Sequence, residues 1–171
     1  MIYEEIKGAI EAILFASGNA VSSQRLENAL SIPCDILEGH LESLIKEYKD
    51  ENKGIAVIKL NDSYQMVTKK KYAVYIRKVM DLKKNTPLSQ AAMEVLAIVA
   101  YNQPVTKAFI EQVRGVDCSG VIGSLTVKNL IEEKGRLELP GRPLLYGTTE
   151  NFLRCFSISS ADELPPIEGS G

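Results

Sequence analysis

Apolar residues near the start of the chain recur at the spacing of amphipathic helices. Isoleucines repeat every three or four positions and predict a helix over about residues 2–17. Ser22 or Ser23 is expected to cap a second, short helix, because a serine side chain can accept a hydrogen bond from a free helical N–H. Pro33 suits the first turn of a third helix, which continues to Tyr48. Three helices are therefore predicted in this segment.

A β-hairpin and a fourth helix are predicted next. The β-rich segments Ile55–Leu60 and Tyr64–Thr68 flank the turn-forming residues 61–63. A helix is expected over about 70–82. The polar segment 83–87, KKNTP, is predicted as a linker, because proline disfavours helix in the residue before it.

The same order of elements then repeats. Leu26 aligns with Ile110, Leu41 with Leu125, and the hairpins align with Tyr64 on Leu145. The predicted elements are a helix from Thr86 or Ser89 to Tyr101, a short helix capped by Thr106 and ended by Gly115, a third helix over about 118–133, and strands over about 135–139 and 144–148.

Three helices followed by a two-stranded hairpin are the winged-helix arrangement, in which helices and hairpin bury their apolar faces together. The predicted fold is mainly α with small β-wings (α+β), as two tandem winged-helix domains. The domains are expected over residues 1–83 and 84–160, and residues 161–171 are expected to form a flexible C-terminal tail.

The predicted third helices carry the wrong charge for reading DNA. In a DNA-reading winged helix, basic and amide side chains of the third helix enter the major groove. Here the two predicted helices contain carboxylates, which repel phosphate: Asp35, Glu38, Glu42, Glu47, Asp50 and Glu51 in the first, Glu132 and Glu133 in the second. The net charge of −2 also differs from the basic excess of most nucleic-acid-binding domains.

Basic residues cluster elsewhere, at Lys69–Lys71, at Lys83 and Lys84, and at Arg136 and Arg142. These clusters have two interpretations. They form solvated surface, or they make weak, salt-sensitive contacts with phosphate.

Candidate chemistry for an enzyme is lacking in the sequence. The three cysteines, Cys34, Cys118 and Cys155, are too far apart for a zinc motif, and Cys118 is expected as a buried thiol. The single histidine, His40, is expected at the surface. We therefore expect no catalytic activity, no metal and no cofactor. The longest apolar run, Val95–Tyr101, is far shorter than the ~20 residues that span a bilayer, so a cytoplasmic protein without membrane contact is predicted.

Two features of the second repeat allow alternative interpretations. Gly120 and Gly123, with Ser119 and Ser124, form a small-residue face that either admits another backbone closely or packs within the fold. In the segment LPGRPLLYGTT, Pro140 and Gly141 predict a type II turn, and Pro143 is expected to hold Arg142 extended. This stiff tip either rigidifies the hairpin or presents Arg142 to a partner at low entropic cost.

The second half of the chain resembles the segregation and condensation protein B family. The motifs that carry the resemblance are LSQAAMEVLAIVAYNQPVT, IEQVRGV, LIEEKGR, PGRPLLYGTT and, at residues 162–166, DELPP. They cover about half of the chain and are specific in combination. The first half matches more loosely, through IEAILFASGNAVS and the order of its helices.

The resemblance implies a tandem winged-helix accessory subunit of the bacterial SMC condensin-like complex. Such a protein forms a homodimer, largely through its N-terminal winged helices. It binds the central segment of the kleisin (segregation and condensation protein A), with the C-terminal winged helix prominent in that contact. The kleisin bridges the SMC heads, and the ATPase belongs to SMC, so no catalytic residue is implied here. The implied process is chromosome condensation and segregation before cell division, in the cytoplasm at the nucleoid.

Six residues match the family pattern and are the candidates for partner binding: Tyr101, Gln103, Arg114, Arg142, Pro143 and Tyr146. The sequence leaves open which of them contact the kleisin and which hold the fold. Arg114, for example, is equally suited to pair with Glu111 or to cap a helix end. The alternative function is that of a winged-helix DNA-binding transcriptional regulator; in the kleisin-binding interpretation, direct DNA binding is weak or absent.

Overall fold

The computed structural model of the chain describes residues 3–80 and 87–166, with the side chain of Tyr3 left aside. The chain divides into two compact units, Met1–Asn85 and Thr86–Gly171. We call them unit 1 and unit 2.

Unit 1 contains the predicted three helices and hairpin. Its elements are α1 (Tyr3–Ser17), β1 (Val21–Ser22), α2 (Ser23–Leu30), α3 (Cys34–Tyr48), β2 (Ile55–Leu60), β3 (Ser63–Thr68), a 3-10 turn (Lys70–Tyr72) and α4 (Ala73–Val79). Ser22 caps α2 as predicted, since its side chain accepts a hydrogen bond from the N–H of Arg25. The apolar faces of α1, α2 and α3 meet the hairpin in one core, whose buried residues include Ile10, Leu14, Leu26, Leu37, Leu41, Leu44, Val57 and Tyr64.

Unit 2 repeats this order. Its elements are α5 (Gln90–Asn102), β4 (Val105–Thr106), α6 (Lys107–Arg114), α7 (Ser119–Val127), β5 (Ile131–Arg136), β6 (Leu144–Thr148), α8 (Glu150–Phe156) and a 3-10 turn (Ala161–Glu163). Ser89 caps α5, Thr106 caps α6, and Gly115 ends α6 in a left-handed conformation with φ 71°. These caps and this helix end are those that the sequence predicts.

Each hairpin belongs to a small antiparallel sheet of three strands. The strand orders are β1-β3-β2 in unit 1 and β4-β6-β5 in unit 2. In each sheet a two-residue strand before the second helix pairs with the hairpin, Val21 opposite Tyr64 and Val105 opposite Tyr146. Neither short strand was predicted from the sequence, because two residues are too few to show an alternating pattern. The mixed architecture of helices and small sheets is as predicted.

The predicted third helix of unit 2 is too long. It ends at Val127, and a strand begins at Ile131 where the prediction continued the helix to residue 133. Asn129 adopts a left-handed conformation with φ 53°, and the N–H of Leu130 bonds back to the carbonyl of Leu125 at 3.0 Å. The buried pair Leu130 and Ile131 fits the end of an apolar helix or the start of a buried strand equally well, so periodicity alone could not separate them.

This boundary corrects the predicted charge of the second third helix. Glu132 and Glu133 lie on β5, and the helix itself, SGVIGSLTV, has no charged residue. α3, in contrast, exposes Asp35, Glu38 and Glu42. The outward face of α3 is therefore acidic as predicted, whereas that of α7 is neutral.

Other boundaries also differ from the predictions. The helix predicted over 70–82 is a 3-10 turn followed by α4, which ends at Val79; most of the predicted linker, residues 83–86, lies outside the described residues. His40 is not at the surface: it is 2% exposed, because it falls on the same face of α3 as Leu37, Leu41 and Leu44, which faces the core. Cys118 is buried, as expected.

Candidate partner-binding surfaces

An apolar groove crosses unit 2 between α5 and α8, and we call it the α5–α8 groove. Its volume is about 210 Å³, and its lining residues are Met93, Leu96, Ala97, Ala100, Tyr101, Phe152, Phe156, Leu164 and Pro165. Met93, Tyr101 and Phe156 remain 43%, 38% and 40% exposed. Large apolar side chains that stay this exposed around a concave surface are typical of a site that binds another molecule.

The chain's own C-terminal segment lies at this groove. Leu164 and Pro165 form part of its lining, and the Tyr101 hydroxyl donates a hydrogen bond to the carbonyl of Pro165 at 2.7 Å. The backbone of Leu164 is extended. Leu164 and Pro165 of the predicted flexible tail thus pack against the rest of unit 2, whereas residues 167–171 lie outside the described part of the chain. These two residues form one wall of the groove.

Gln103 joins the end of α5 to β6. Its Oε1 accepts hydrogen bonds from the N–H of Thr148 at 2.7 Å and from the Thr148 hydroxyl at 3.0 Å, and its Nε2 donates to the carbonyl of Ala100 at 3.3 Å. Gly147 leaves room for this contact, because a Cβ there would lie 3.0 Å from Oε1 and 2.8 Å from the Cγ of Lys134. Both polar atoms of the Gln103 side chain therefore form hydrogen bonds within unit 2.

Arg114 joins α6 to α5. Its guanidinium lies 3.2 Å from the carboxylate of Glu94 and donates a hydrogen bond to the carbonyl of Ala91 at 3.3 Å. Both alternatives given by the sequence analysis, pairing with Glu111 and capping of a helix end, are wrong. Glu111 instead binds Lys107 at 3.4 Å and accepts a hydrogen bond from the N–H of Cys118 at 3.0 Å.

The tip of the second hairpin confirms the predicted turn but not the predicted conformation of Arg142. The N–H of Arg142 bonds to the carbonyl of Leu139 at 2.8 Å, and Gly141 has φ 85°, as a type II turn requires. Arg142 itself has φ 40° and is left-handed, not extended. Proline disfavours only the right-handed helical region in the residue before it, so this conformation remained available.

Three contacts hold Arg142 in place. Its carbonyl accepts a hydrogen bond from the guanidinium of Arg136 at 2.9 Å, and the N–H of Leu137 bonds to the carbonyl of Pro143 at 2.9 Å. The Arg142 guanidinium pairs with Glu138 at 2.6 Å and stays exposed. A bulky residue in a left-handed conformation costs free energy and persists only where its surroundings require it. The conformation of the tip is therefore fixed by these contacts, with the Arg142 guanidinium at the surface.

The six candidate residues occupy separate parts of unit 2. Tyr101 lines the α5–α8 groove, and Arg142 and Pro143 lie at the hairpin tip. Gln103 and Arg114 connect elements, as described above. Tyr146 lies in the middle of the sheet, opposite Val105 on one side and Glu133 on the other. They do not form one contiguous site, and partner binding by each of them stays a prediction.

The α8 side of the groove was not predicted from the sequence. A signal was present: Thr149 is followed by Phe152 and Phe156 at helical spacing. In the structure, the Thr149 hydroxyl caps α8 by accepting a bond from the N–H of Phe152, and the two phenyl rings lie 4.6 Å apart.

Gly120 and Gly123 face open space. A Cβ built at either position meets no atom within 4 Å, and Val127 on the same helix is 88% exposed. The interpretation of these glycines as an internal packing contact is therefore wrong. Close approach of another backbone stays a prediction.

Charged groups in unit 1 connect α3 to its neighbours. Glu47 bonds to Lys53 at 2.7 Å and to Lys7 at 2.5 Å, and these two ammonium groups, Lys53 more than Lys7, lower the pKa of Glu47 to about 2. The Tyr48 hydroxyl donates a hydrogen bond to the carboxylate of Glu11. Burial, and then this carboxylate, raise the pKa of Tyr48 to about 12. These contacts join α1, α3 and the loop that precedes β2.

Within residues 3–80 and 87–166, no cluster of histidine, cysteine and carboxylate side chains is suited to hold a metal ion. No helix that the structure describes has both the length and the apolar character to span a bilayer.

Comparison with known proteins gives consistent matches. A family model described as "Segregation and condensation complex subunit ScpB" matches residues 8–167. A segregation and condensation protein B from Alkaliphilus oremlandii is 49% identical, with 96% of this chain and 89% of that protein covered. One from Clostridioides difficile is 46% identical, covering 96% and 93%. The chain is also similar, at 27% identity, to a structure titled "Crystal structure of dimer of ScpB N-terminal domain complexed with ScpA peptide", which covers 44% of this chain and 95% of that one with a TM-score of 0.43.

Proposed function

Because the chain belongs to the segregation and condensation complex subunit ScpB family, we propose that it is a non-enzymatic subunit of a bacterial SMC–kleisin complex. It forms a homodimer and binds the central segment of the kleisin, and so supports chromosome condensation and segregation before cell division. Each unit is a winged-helix domain; unit 1 provides the dimer contact and unit 2 binds the kleisin.

The observation that carries this proposal is the α5–α8 groove itself, an apolar concave surface around which Met93, Tyr101 and Phe156 stay exposed. A groove with such a lining can accept the apolar side chains of a segment from a partner. Aromatic side chains at the centre of such a groove usually supply most of the binding energy. Tyr101 and Phe156 are suitably placed for this role, and the Tyr101 hydroxyl offers a donor to a main-chain carbonyl.

The charges support a protein partner over DNA. α3 exposes carboxylates and α7 has no charged residue, whereas a helix that enters the major groove needs donors and cations. The arginines of the second hairpin are engaged within it, Arg136 with the carbonyl of Arg142 and Arg142 with Glu138.

Titration of the full chain with the central segment of its cognate kleisin tests the proposal. Met93→Glu places a charge in the groove and should weaken binding by about tenfold or more, because burying an unpaired carboxylate is costly. Val127→Glu, at an exposed site on α7, is the matched control and should bind like the wild type. Unchanged binding of Met93→Glu, measured calorimetrically on a protein with wild-type circular dichroism, would exclude this groove as the kleisin site.

A further inference from the structure

The outer strand of the unit 1 sheet has an unpaired edge. In the order β1-β3-β2, β2 lies at the end, and among the described residues it pairs with β3 alone. β5 has the same position in unit 2. Proteins commonly protect such edges with bulges and charged side chains, because an open edge can recruit another strand.

The two edges are protected differently. β5 has a bulge between Glu133 and Gly135, and its exposed residues Glu132, Glu133 and Lys134 are charged. β2, with the sequence IAVIKL, has no bulge: its register runs without a break from Ile55 opposite Thr68 to Leu60 opposite Ser63. Its one charged residue is Lys59. The β2 edge is regular and mostly apolar.

The hairpin register identifies the free backbone groups of β2. The N–H of Lys69 bonds to the carbonyl of Gly54 at 2.9 Å, directly beyond the last pair of the hairpin. Hydrogen-bonded pairs alternate along an antiparallel ladder, so the even-numbered residues of β2 bond to β3. The N–H and C=O groups of Ile55, Val57 and Lys59 therefore point away from the hairpin, toward the open edge.

A groove of about 490 Å³ runs beside β2, and we call it the α3–β2 groove. Its lining residues are Ile45, Tyr48, Lys49, Glu51, Ala56, Val57, Ile58, Lys69 and Lys71. The ammonium groups of Lys69 and Lys71 donate to the main-chain carbonyls of Asp50 and Glu51. No carboxylate among the described residues forms an ion pair with Lys49, Lys69 or Lys71. The groove thus combines an apolar lining with an excess of positive charge, from three lysines against the single carboxylate of Glu51.

We propose that the β2 edge and the α3–β2 groove bind an extended segment of a partner protein, which adds to the sheet as a fourth strand. Main-chain hydrogen bonds to Ile55, Val57 and Lys59 align the segment, as in other cases of strand addition. The segment carries apolar side chains alternating with carboxylates, which match the apolar lining and the lysines. A second copy of β2 fits less well, because it would bring two sets of lysines together. This site is separate from the α5–α8 groove and does not depend on it.

A synthetic peptide of alternating valine and glutamate tests the proposal. Amide hydrogen exchange of the full chain is measured by NMR with and without this peptide. Bound peptide should slow exchange at Ile55, Val57 and Lys59 by about tenfold or more, while the even-numbered amides, already bonded to β3, change little. A peptide of alternating valine and lysine should have no such effect. Unchanged exchange at the three amides, or equal protection by both peptides, would overturn the proposal. Protection that grows with protein concentration without peptide would overturn it too, in favour of self-pairing.

Variants at Lys59 distinguish the contribution of the main-chain N–H to peptide binding from the contribution of the side-chain charge. Lys59→Pro removes an outward N–H without breaking a bond to β3 and should abolish peptide binding, whereas Lys59→Thr keeps the N–H and should retain it within about threefold. If Lys59→Pro fails to fold, the pair Lys49→Glu and Lys71→Glu serves instead. This double variant should no longer bind the valine–glutamate peptide and should bind the valine–lysine peptide. An unchanged preference for the glutamate peptide would contradict the proposal.

Discussion

At the scale of single residues, Gln103 was a candidate for partner binding and has a structural role in unit 2. Its side chain satisfies both the N–H and the hydroxyl of the buried Thr148. Gln103→Ala should lower the free energy of unfolding by about 1–3 kcal/mol, because it leaves these buried donors without an acceptor. Urea denaturation measures the change, with Asn102→Ala as the control, since among the described residues the Asn102 side chain bonds to the carbonyl of Ile98 in its own helix and to no other element. Full stability of Gln103→Ala together with lost kleisin binding would assign Gln103 to the interface.

Arg142 provides a second test at this scale. Its φ of 40° suits glycine and is unfavourable for a β-branched residue. Arg142→Val should be less stable than Arg142→Gly by about 1–2 kcal/mol. The same two substitutions at Thr68, an exposed residue of strand β3, should have the opposite order, because valine is favoured over glycine in a strand. Equal stability of the two Arg142 variants in thermal unfolding would contradict the conformation described for this tip.

At the scale of elements, the bonds of Glu47 connect α3 to α1 and to the loop that precedes β2. The pKa of Glu47 is lowered from 4.5 to about 2. A carboxyl whose folded pKa lies below its unfolded value stabilises the fold at higher pH and loses that contribution as the pH falls toward the folded pKa. The stability advantage of the wild type over Glu47→Gln should therefore be constant at neutral pH and disappear between about pH 4.5 and pH 2. Urea titrations across this range measure it.

Glu42→Gln is the matched control on the same helix, because Glu42 is exposed and makes none of the described ion pairs. A wild-type advantage over Glu47→Gln that stays constant down to pH 2 would show that the lysine contacts do not hold Glu47 ionised.

The C-terminal segment gives a further prediction at the element scale. Because Leu164 and Pro165 line the α5–α8 groove, they belong to the surface that a partner in this groove would contact. A chain that ends at Ser160 should bind the kleisin segment less tightly, by about threefold or more, since part of the apolar lining is lost. Calorimetric titration measures the affinity. Tighter binding by the shortened chain would show instead that the segment competes with the partner for the groove.

Local signals in the sequence predicted most elements and their limits. Ser22, Ser89 and Thr106 cap helices as expected, and Gly115 ends one. The boundary between α7 and β5 was not predictable in this way, because the apolar run through Ile131 suits both structures and the left-handed Asn129 decides between them. Tertiary contact, rather than local propensity, sets such boundaries.

At the scale of the whole molecule, the sequence repeat predicted the two units. It did not predict which of the candidate residues hold the fold and which line a surface. Sequence position could not show that Arg114 reaches Glu94 across to another helix, or that Gln103 bonds to β6. The α5–α8 groove was also beyond prediction, because its walls come from helices far apart in the chain and from the segment at residues 164 and 165.

The charge of the third helices distinguishes the two candidate functions, a kleisin-binding subunit and a DNA-binding regulator. A DNA-binding regulator requires a basic face on at least one third helix, and neither α3 nor α7 has one. The full chain should therefore give no fluorescence anisotropy change with duplex DNA at physiological salt. Binding that persists there, and that Arg136→Ala weakens, would favour the regulator.

The most direct test of the proposed function is the mass of the full chain by light scattering, alone and with the central segment of its cognate kleisin. We predict the mass of a homodimer for the chain alone and a larger, stable complex when the kleisin segment is added at micromolar concentration. A monomer mass with no complex at that concentration would contradict the proposal that this chain is a dimeric, kleisin-binding subunit.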